Sequence, residues 1–178
     1  MSELTPIELL RELESRVRSN AAGLPEQEEI VETWSGIGFR IGDHYFVSPM
    51  SEVVELLRVP AYTRLPNVKS WILGVSNIRG RLIPIVDLSA FFNFESDIPL
   101  RSRRILVIEQ NEQTNGLVVD AVEGMQYFDV ESYKESMPDL PDRLKPYIMG
   151  YYEKDRRIWS RFSMEALSEH ELFQSVAV

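Results

Sequence analysis

Residues 74–88 read GVSNIRGRLIPIVDL, two apolar stretches that flank a short polar tip. Asn77 and Gly80 are residue types that accept the unusual backbone dihedrals of a tight β-turn, so this stretch predicts a β-hairpin. Asp87 follows the second strand, where its side chain is expected to cap a single helical turn. The turn accounts for the glycines and the asparagine, but it leaves Arg79 at the crown of the hairpin unexplained.

Similar patterns lie on both sides of this hairpin. Residues 36–47 and 148–162 each predict a hairpin with a short turn, and residues 104–122 predict another around a polar turn at 111–116. Pro84, inside the apolar strand of the central motif, favours an edge position or a bulge because proline donates no backbone hydrogen bond. Short, closely spaced strands separated by Gly, Pro and Asn are typical of antiparallel all-β barrels rather than of βαβ units.

Helices are predicted near the two ends of the chain. Thr5-Pro6 combines a capping hydroxyl with a proline at the first helical position, and apolar residues then recur at helical spacing. This apolar stripe consists of Ile7, Leu10, Leu13 and Val17. Glutamates within residues 27–33 indicate a solvated linker, and residues 163–173 predict a C-terminal helix. We therefore expect an N-terminal helix with its acidic linker over residues 1–33 and a β-rich domain over residues 34–178.

The composition narrows the functional classes. The chain has 28 acidic residues against 19 lysines and arginines, and the net charge of −9 argues against binding to nucleic acid or anionic lipid, which clustered cations hold. It has no cysteine, so disulfides, thiolate nucleophiles and cysteine zinc sites are excluded. No signal peptide is recognisable, and no run approaches the ~18 apolar residues that a spanning helix needs. A soluble, cytoplasmic protein without direct membrane insertion is expected.

Candidate catalytic groups are few. Neither His44 nor His170 has an orienting partner at a helical or turn spacing, so both are expected to be surface histidines. The sequence contains no serine nucleophile elbow, phosphate-binding loop or dinucleotide fingerprint, and it predicts no metal or cofactor site. Asp87 and Asp120 each follow an apolar strand. Capping of a turn is the favoured interpretation for both, and a small enzyme that uses one of them as acid or base is the alternative.

At residues 74–88 the sequence resembles the CheW family, the coupling proteins of bacterial chemosensory arrays. Members of this family carry the pattern G-V-x-N-x-R-G-x-x-x-P-[IV]-[VM]-D-L, and every fixed position of the pattern is matched here. Residues 48–57 and 116–122 are similar to two further family segments, so the resemblance extends over residues 35–174. The N-terminal helix followed by residues 20–25, NAAGLP, looks like the PilI-type subgroup, the adaptors of the type IV pilus twitching-motility system.

The resemblance implies an all-β fold of two SH3-like five-stranded β-barrels. It implies a non-catalytic adaptor in two-component chemosensory signal transduction, which couples a chemoreceptor-type sensor to a CheA-like histidine kinase and is recruited to membrane-associated arrays. One surface would bind the regulatory domain of the kinase. The groove between the barrels would bind the hairpin tip of a methyl-accepting chemoreceptor-type sensor. A regulatory module of a larger kinase is an alternative with the same fold.

Positions matched to the family motifs give the expected protein-binding residues. In the first barrel they are Val53, Glu55, Gly74, Asn77, Arg79 and Gly80, and on the strand that borders the groove they are Ile105 and Leu106. Such a groove needs exposed apolar side chains for a helical tip, with Arg79 and Glu55 supplying orientation and charge selectivity. Ser48 departs from the family pattern, which often has an apolar residue there. Positive charge at the start of the bordering strand is a second departure, contributed by Arg101, Arg103 and Arg104.

Overall fold

The structure, a computed structural model, describes residues 6–20 and 32–175. The chain divides into two compact units, residues 1–31 and residues 32–178. Within the described ranges, no helix is both long enough and apolar enough to cross a membrane.

The first unit contains the helix α1, which spans Pro6–Asn20 and confirms the helix predicted there. The apolar stripe of α1 is exposed at Ile7, Leu10 and Leu13. The predicted capping residue Thr5 and residues 27–31 of the predicted linker lie outside the described residues.

The second unit is built from ten strands. They are β1 (Thr33–Ile41), β2 (His44–Pro49), β3 (Val53–Arg58), β4 (Ile72–Ile78), β5 (Arg81–Asp87), β6 (Arg104–Gln110), β7 (Gln113–Val119), β8 (Ala121–Asp129), β9 (Ile148–Lys154) and β10 (Arg157–Phe162). Sheet A has the order β8-β1-β2-β10-β9, and sheet B has the order β3-β6-β7-β5-β4. Neighbouring strands are antiparallel except for the pairs β2–β10 and β5–β7. The predicted all-β class with two five-stranded units is confirmed.

Three apolar clusters form the core of the β-rich unit, and one of them joins the two sheets. One contains only residues of sheet B, among them Ile85 and Ile105, and lies on one face of that sheet. Another surrounds Phe128 and Trp159 on one face of sheet A. The largest, here called the central cluster, joins residues of both sheets, such as Phe39 and Leu117. Each sheet therefore has a small core of its own on one face. The other faces of the two sheets contribute to the central cluster.

Short helices follow the strands. Asp87 caps α2 (Leu88–Phe91), since its carboxylate accepts hydrogen bonds from the main-chain N–H groups of the helix, and this capping was predicted. The predicted C-terminal helix is instead two short helices, α3 (Met164–Glu169) and α4 (Glu171–Gln174). The chain leaves helical geometry at His170, whose Nδ1 accepts a hydrogen bond from the N–H of Leu172 and so starts α4.

Two strand predictions need correction. Pro84 lies in β5, which is not an edge strand because it pairs with both β4 and β7. The pairing of β5 with β7 begins at Ile85, directly after the proline. The register shift between β4 and β5 lies in β4, between Ile72 and Gly74, and not at the proline. The polar turn predicted at 111–116 is shorter, since β7 already begins at Gln113.

The apolar run that ends with residues 117–122 is not one strand. Strand β7 ends at Val119 in sheet B, and β8 begins at Ala121 in sheet A. Asp120 is therefore the point at which the chain crosses between the sheets, and its N–H donates to the carbonyl of Arg40 at 2.9 Å. Apolar residues continue on both sides of Asp120, so the sequence pattern alone does not reveal the change of sheet.

Candidate functional site

The hairpin of residues 74–88 ends in a two-residue turn. Arg79 and Gly80 both have positive φ values, 51° and 81°, which a two-residue hairpin turn requires. The side-chain oxygen of Asn77 accepts a hydrogen bond from the N–H of Gly80 at 2.8 Å. The turn thus explains Asn77 and Gly80 and presents Arg79 at the tip.

An ion pair holds the exposed arginine. The guanidinium of Arg79 lies 2.8 Å from the carboxylate of Glu55, and the two side chains are 78% and 17% exposed. Glu55 belongs to β3, an edge strand of sheet B, so the pair links that edge to the β4–β5 turn. Exposed ion pairs contribute at most about 1 kcal/mol to stability. The pair therefore orients the guanidinium more than it stabilises the fold.

A small pocket lies beside this ion pair. It has a volume of about 200 Å³, and Val54, Ile78 and Val107 contribute to its apolar lining. The hydroxyl of Thr114, also in the lining, has no hydrogen-bond partner among the described residues. The pocket opens next to Arg79, so a partner that reaches the arginine also reaches an apolar recess.

Val54 is a site residue that the sequence did not indicate. The β3–β6 register shifts between Val53 and Glu55, which is a β-bulge, and Val54, the residue between them, is 59% exposed. Val53 itself is partly buried against the central cluster. The family match assigned Val53 rather than Val54 to the binding surface, and no local sequence signal marks the bulge.

Gly74 has a structural role. It is buried with a φ of 147°, and a Cβ at this position would collide with the main-chain carbonyl of Thr63. Thr63 exchanges two backbone hydrogen bonds with Val75, at 2.8 and 2.9 Å, and so covers the outer edge of β4. The glycine therefore allows this segment to approach, and its location does not offer a partner contact.

The structure does not expose Ile105 and Leu106, which were expected to contact a partner. Both side chains are 0% exposed. Strand β6 lies between β3 and β7, with Ile105 in the sheet B cluster and Leu106 in the central cluster. A strand covered on both faces reads as a continuous apolar run, which the sequence pattern does not distinguish from a strand that borders a groove.

The structure places all of the expected site residues in one of the two five-stranded units. The expected site residues all lie on β3 to β6 or in the turns between these strands, which belong to sheet B. The first two strands of the chain, β1 and β2, pair instead with β8 and β10 in sheet A. The structure brings Glu55, Asn77, Arg79 and Gly80 together at one end of sheet B.

Of the two departures from the family pattern, Ser48 lies inside the fold, whereas only part of the arginine group does. Ser48 is completely buried, and its hydroxyl donates to the carbonyl of Phe162 at 2.8 Å. Arg103 is 8% exposed and pairs with buried carboxylates, so its charge is not presented to a partner as predicted. Arg104 donates to nearby main-chain carbonyls, and Arg101 is exposed.

The alternative enzyme would require an accessible carboxylate. The Asp120 side chain is 1% exposed and accepts hydrogen bonds from the N–H of Gly42 at 2.7 Å and the hydroxyl of Ser96 at 2.6 Å. It also lies 3.2 Å from the Ser89 hydroxyl and 3.4 Å from Nε of Arg103. Its oxygens are fully engaged inside the protein, whereas an acid or base must reach its substrate.

Asp87 is engaged in the same network. Its carboxylate caps α2 and lies 2.9 Å from the guanidinium of Arg103. Together with Asp120, this arrangement ties the end of β5, the start of β6 and the crossing between the sheets. The geometry favours the structural interpretation of both aspartates.

The two histidines are only partly exposed. The ring of His44 lies 5.4 Å from that of Phe94, and burial lowers the pKa of His44. His170 caps α4 and lies 5.3 Å from the ring of Tyr147. Both were expected to be surface residues, and both instead take part in local packing.

Comparisons with known proteins agree with this architecture. A CheW-like domain model matches residues 35–172. Protein PilI of Pseudomonas aeruginosa is 48% identical over 174 residues, which are 98% of this chain and 97% of that protein. The chemotaxis protein CheW of Helicobacter pylori is 29% identical over 133 residues, 73% of this chain and 80% of that protein.

A solved structure shows the same fold. The scaffolding protein TtCheW of Thermoanaerobacter tengcongensis superposes with a TM-score of 0.69 over 79% of this chain and 95% of its own, at 24% identity. The predicted pair of SH3-like five-stranded units thus has a counterpart of known structure. The match to the domain model covers most of the chain, and this chain belongs to the CheW-like domain family.

Proposed function

We propose that this protein is a non-catalytic cytoplasmic adaptor that couples a chemoreceptor-type sensor to a CheA-like histidine kinase, and that its signalling system controls type IV pilus twitching motility. Three findings support the proposal: membership of the CheW-like family, 48% identity to Protein PilI, and a fold shared with a scaffolding protein. Recruitment to membrane-associated arrays would follow from binding to the sensor.

The observation that carries the proposal is the geometry around Arg79. The guanidinium is mostly exposed, it is oriented by Glu55, and it stands beside an apolar pocket. A charged group with a fixed direction next to an apolar recess is typical of a protein-binding surface. The aspartates that an enzyme would use, Asp87 and Asp120, are engaged within the fold.

Binding measurements on Arg79→Ala test the proposal. The full-length variant is titrated with the CheA-like kinase and with the signalling hairpin of the receptor of the same organism, and each dissociation constant is compared with that of the wild type. We expect about a tenfold weaker affinity for at least one partner, which corresponds to about 1.4 kcal/mol. Leu82→Ala is the matched control, since Leu82 lies on the same hairpin and is 70% exposed but does not line the pocket.

A folded Arg79→Ala variant that binds both partners with wild-type affinity would show that the assigned surface is wrong. The system is tested separately, by replacing PilI in Pseudomonas aeruginosa with this chain and measuring the twitching zone. Restored twitching is expected. A folded, expressed chain that binds the host kinase without restoring movement would contradict the assignment to this system.

A further inference from the structure

Arg161 in sheet A lies between two aromatic rings. Its guanidinium carbon is 5.3 Å from the ring centre of Trp34 and 5.5 Å from that of Tyr133. Both distances are within the range in which a cation is attracted by an aromatic ring. Arg161 belongs to β10 and Trp34 to β1, while Tyr133 follows β8, so three separate segments build the arrangement.

Both rings are held in place independently of the arginine. Trp34 stacks on Tyr152 with ring centres 5.3 Å apart and an interplanar angle of 16°. The hydroxyl of Tyr133 donates to the carbonyl of Met149 at 2.6 Å. Gly150 makes room for that tyrosine, since a Cβ there would collide with its hydroxyl. The guanidinium therefore has a fixed orientation, which lowers the entropy lost on binding.

Arg161 forms no ion pair within the described part of the chain. No carboxylate lies within 4.0 Å of its guanidinium there, and it forms no hydrogen bond with those residues, although Arg103 has two carboxylate partners. Glu52 is near enough to interact electrostatically with it, but the Glu52 carboxylate accepts a hydrogen bond from the N–H of Met164 at 3.1 Å. In a protein of net charge −9, a half-buried arginine with free donors is suited to a carboxylate from another molecule.

Exposed apolar side chains lie on the segments that position Tyr133. Met149, whose carbonyl holds Tyr133, is 59% exposed, and Val130, at the start of the turn that leads to Tyr133, is 40% exposed. Arginine, tryptophan and tyrosine are the residues most enriched where interfaces concentrate their binding energy. The arrangement combines an oriented charge, rigid aromatic rings and exposed apolar neighbours.

We propose that Arg161, held between Trp34 and Tyr133, is the centre of a second protein-binding surface, which receives an aspartate or glutamate side chain of a partner protein. This surface is on sheet A, whereas Arg79 and its pocket are on sheet B. The inference rests on the proposed function, because an adaptor that bridges two proteins needs two separate contact surfaces.

The test compares Arg161→Gln with Arg157→Gln in the full-length protein. Arg157 is the matched control, since it lies on the same strand and stacks 4.7 Å from a single ring, that of Tyr45, but is exposed. Affinities for the kinase and for the receptor hairpin are measured separately, at low and at high salt. We expect Arg161→Gln to weaken one partner about tenfold and to reduce the salt dependence of that binding, with Arg157→Gln within about twofold of wild type.

Arg161→Lys separates charge from packing, because it keeps the charge and loses the planar donors; it should retain part of the affinity. Melting curves identify any variant that fails to fold. If folded Arg161→Gln binds both partners like the wild type, the inference is overturned.

A result in which the wild type binds neither partner would count against the proposed function, and a hexaglutamate peptide then tests the surface itself. Titration of ¹⁵N-labelled protein should shift the Arg161 Nε–H signal with saturation and leave that of Arg157 nearly unchanged. Equal shifts at both arginines, or none at Arg161, would refute the surface.

Discussion

Replacement of Asp120 by asparagine should destabilise the protein more than any exposed carboxylate-to-amide change. Asp120 lies where the chain crosses between the sheets, and its carboxylate faces the N–H of Gly42 on one oxygen and Nε of Arg103 on the other. An amide keeps one oxygen and replaces the other with a donor. In either orientation, one buried N–H of the protein is left facing a second donor.

The magnitude follows from these contacts. A buried donor without an acceptor costs about 1–3 kcal/mol. Loss of one partner from a buried ion pair costs about 3–5 kcal/mol, and the lower end applies here because Asp87 remains 2.9 Å from Arg103. These two estimates describe overlapping contacts and are not added. We expect Asp120→Asn to lower the free energy of unfolding by about 3 kcal/mol.

Urea denaturation at neutral pH measures this difference, with the wild type and Asp129→Asn run in parallel. Asp129 is an exposed cap that accepts from the N–H of Glu131 at 2.9 Å, and asparagine caps equally well, so this control should change by less than about 0.5 kcal/mol. A loss below about 1 kcal/mol for Asp120→Asn would refute the argument that this network joins the two sheets.

Three further changes test other parts of the structure. Burial raises the pKa of Glu52 above its ordinary value of 4.5, so the stability that goes with its protonated form is complete below that pH and is lost as the pH rises through the folded-state pKa. Glu52→Gln, which stays uncharged, should therefore exceed the wild type in urea midpoint at pH 7, with a smaller difference near pH 4.5. Gly74→Ala should cost about 1–3 kcal/mol in a melting experiment, because the main chain of Thr63 must move; an unchanged melting temperature would contradict this packing. Ile105→Ala should cost about 2–5 kcal/mol in urea unfolding, while the folded fraction keeps its affinity for partners; a loss of affinity at full stability would restore Ile105 to the binding surface.

The sequence predicted the features that depend on neighbouring residues. The turn at Asn77 to Gly80 and the cap at Asp87 follow from dihedral preferences and from short side-chain hydrogen bonds, which act over three or four residues. The hairpins themselves were recognisable for the same reason. The family resemblance named both Arg79 and Glu55 as site residues, but the ion pair between them was not predicted.

Features set by distant segments were not predictable in this way. The burial of Ile105 depends on β3 and β7 covering both sides of its strand, and the burial of Arg103 depends on aspartates from two other segments. The register shift at Val54 depends on how β3 pairs with β6. Nothing within a few residues of these positions specifies which strand will be their neighbour.

The strand order of sheet A has a consequence for the synthesis of the protein. Strand β10 lies between β2 and β9, so the strand that completes this sheet is the last one of the ten to leave the ribosome. Sheet B is a continuous run from β3 to β7 and is available for pairing earlier. Until β10 arrives, β2 keeps an unpaired edge that other nascent chains can join. A premature stop before Arg157 is therefore expected to yield aggregates rather than a shortened, working protein.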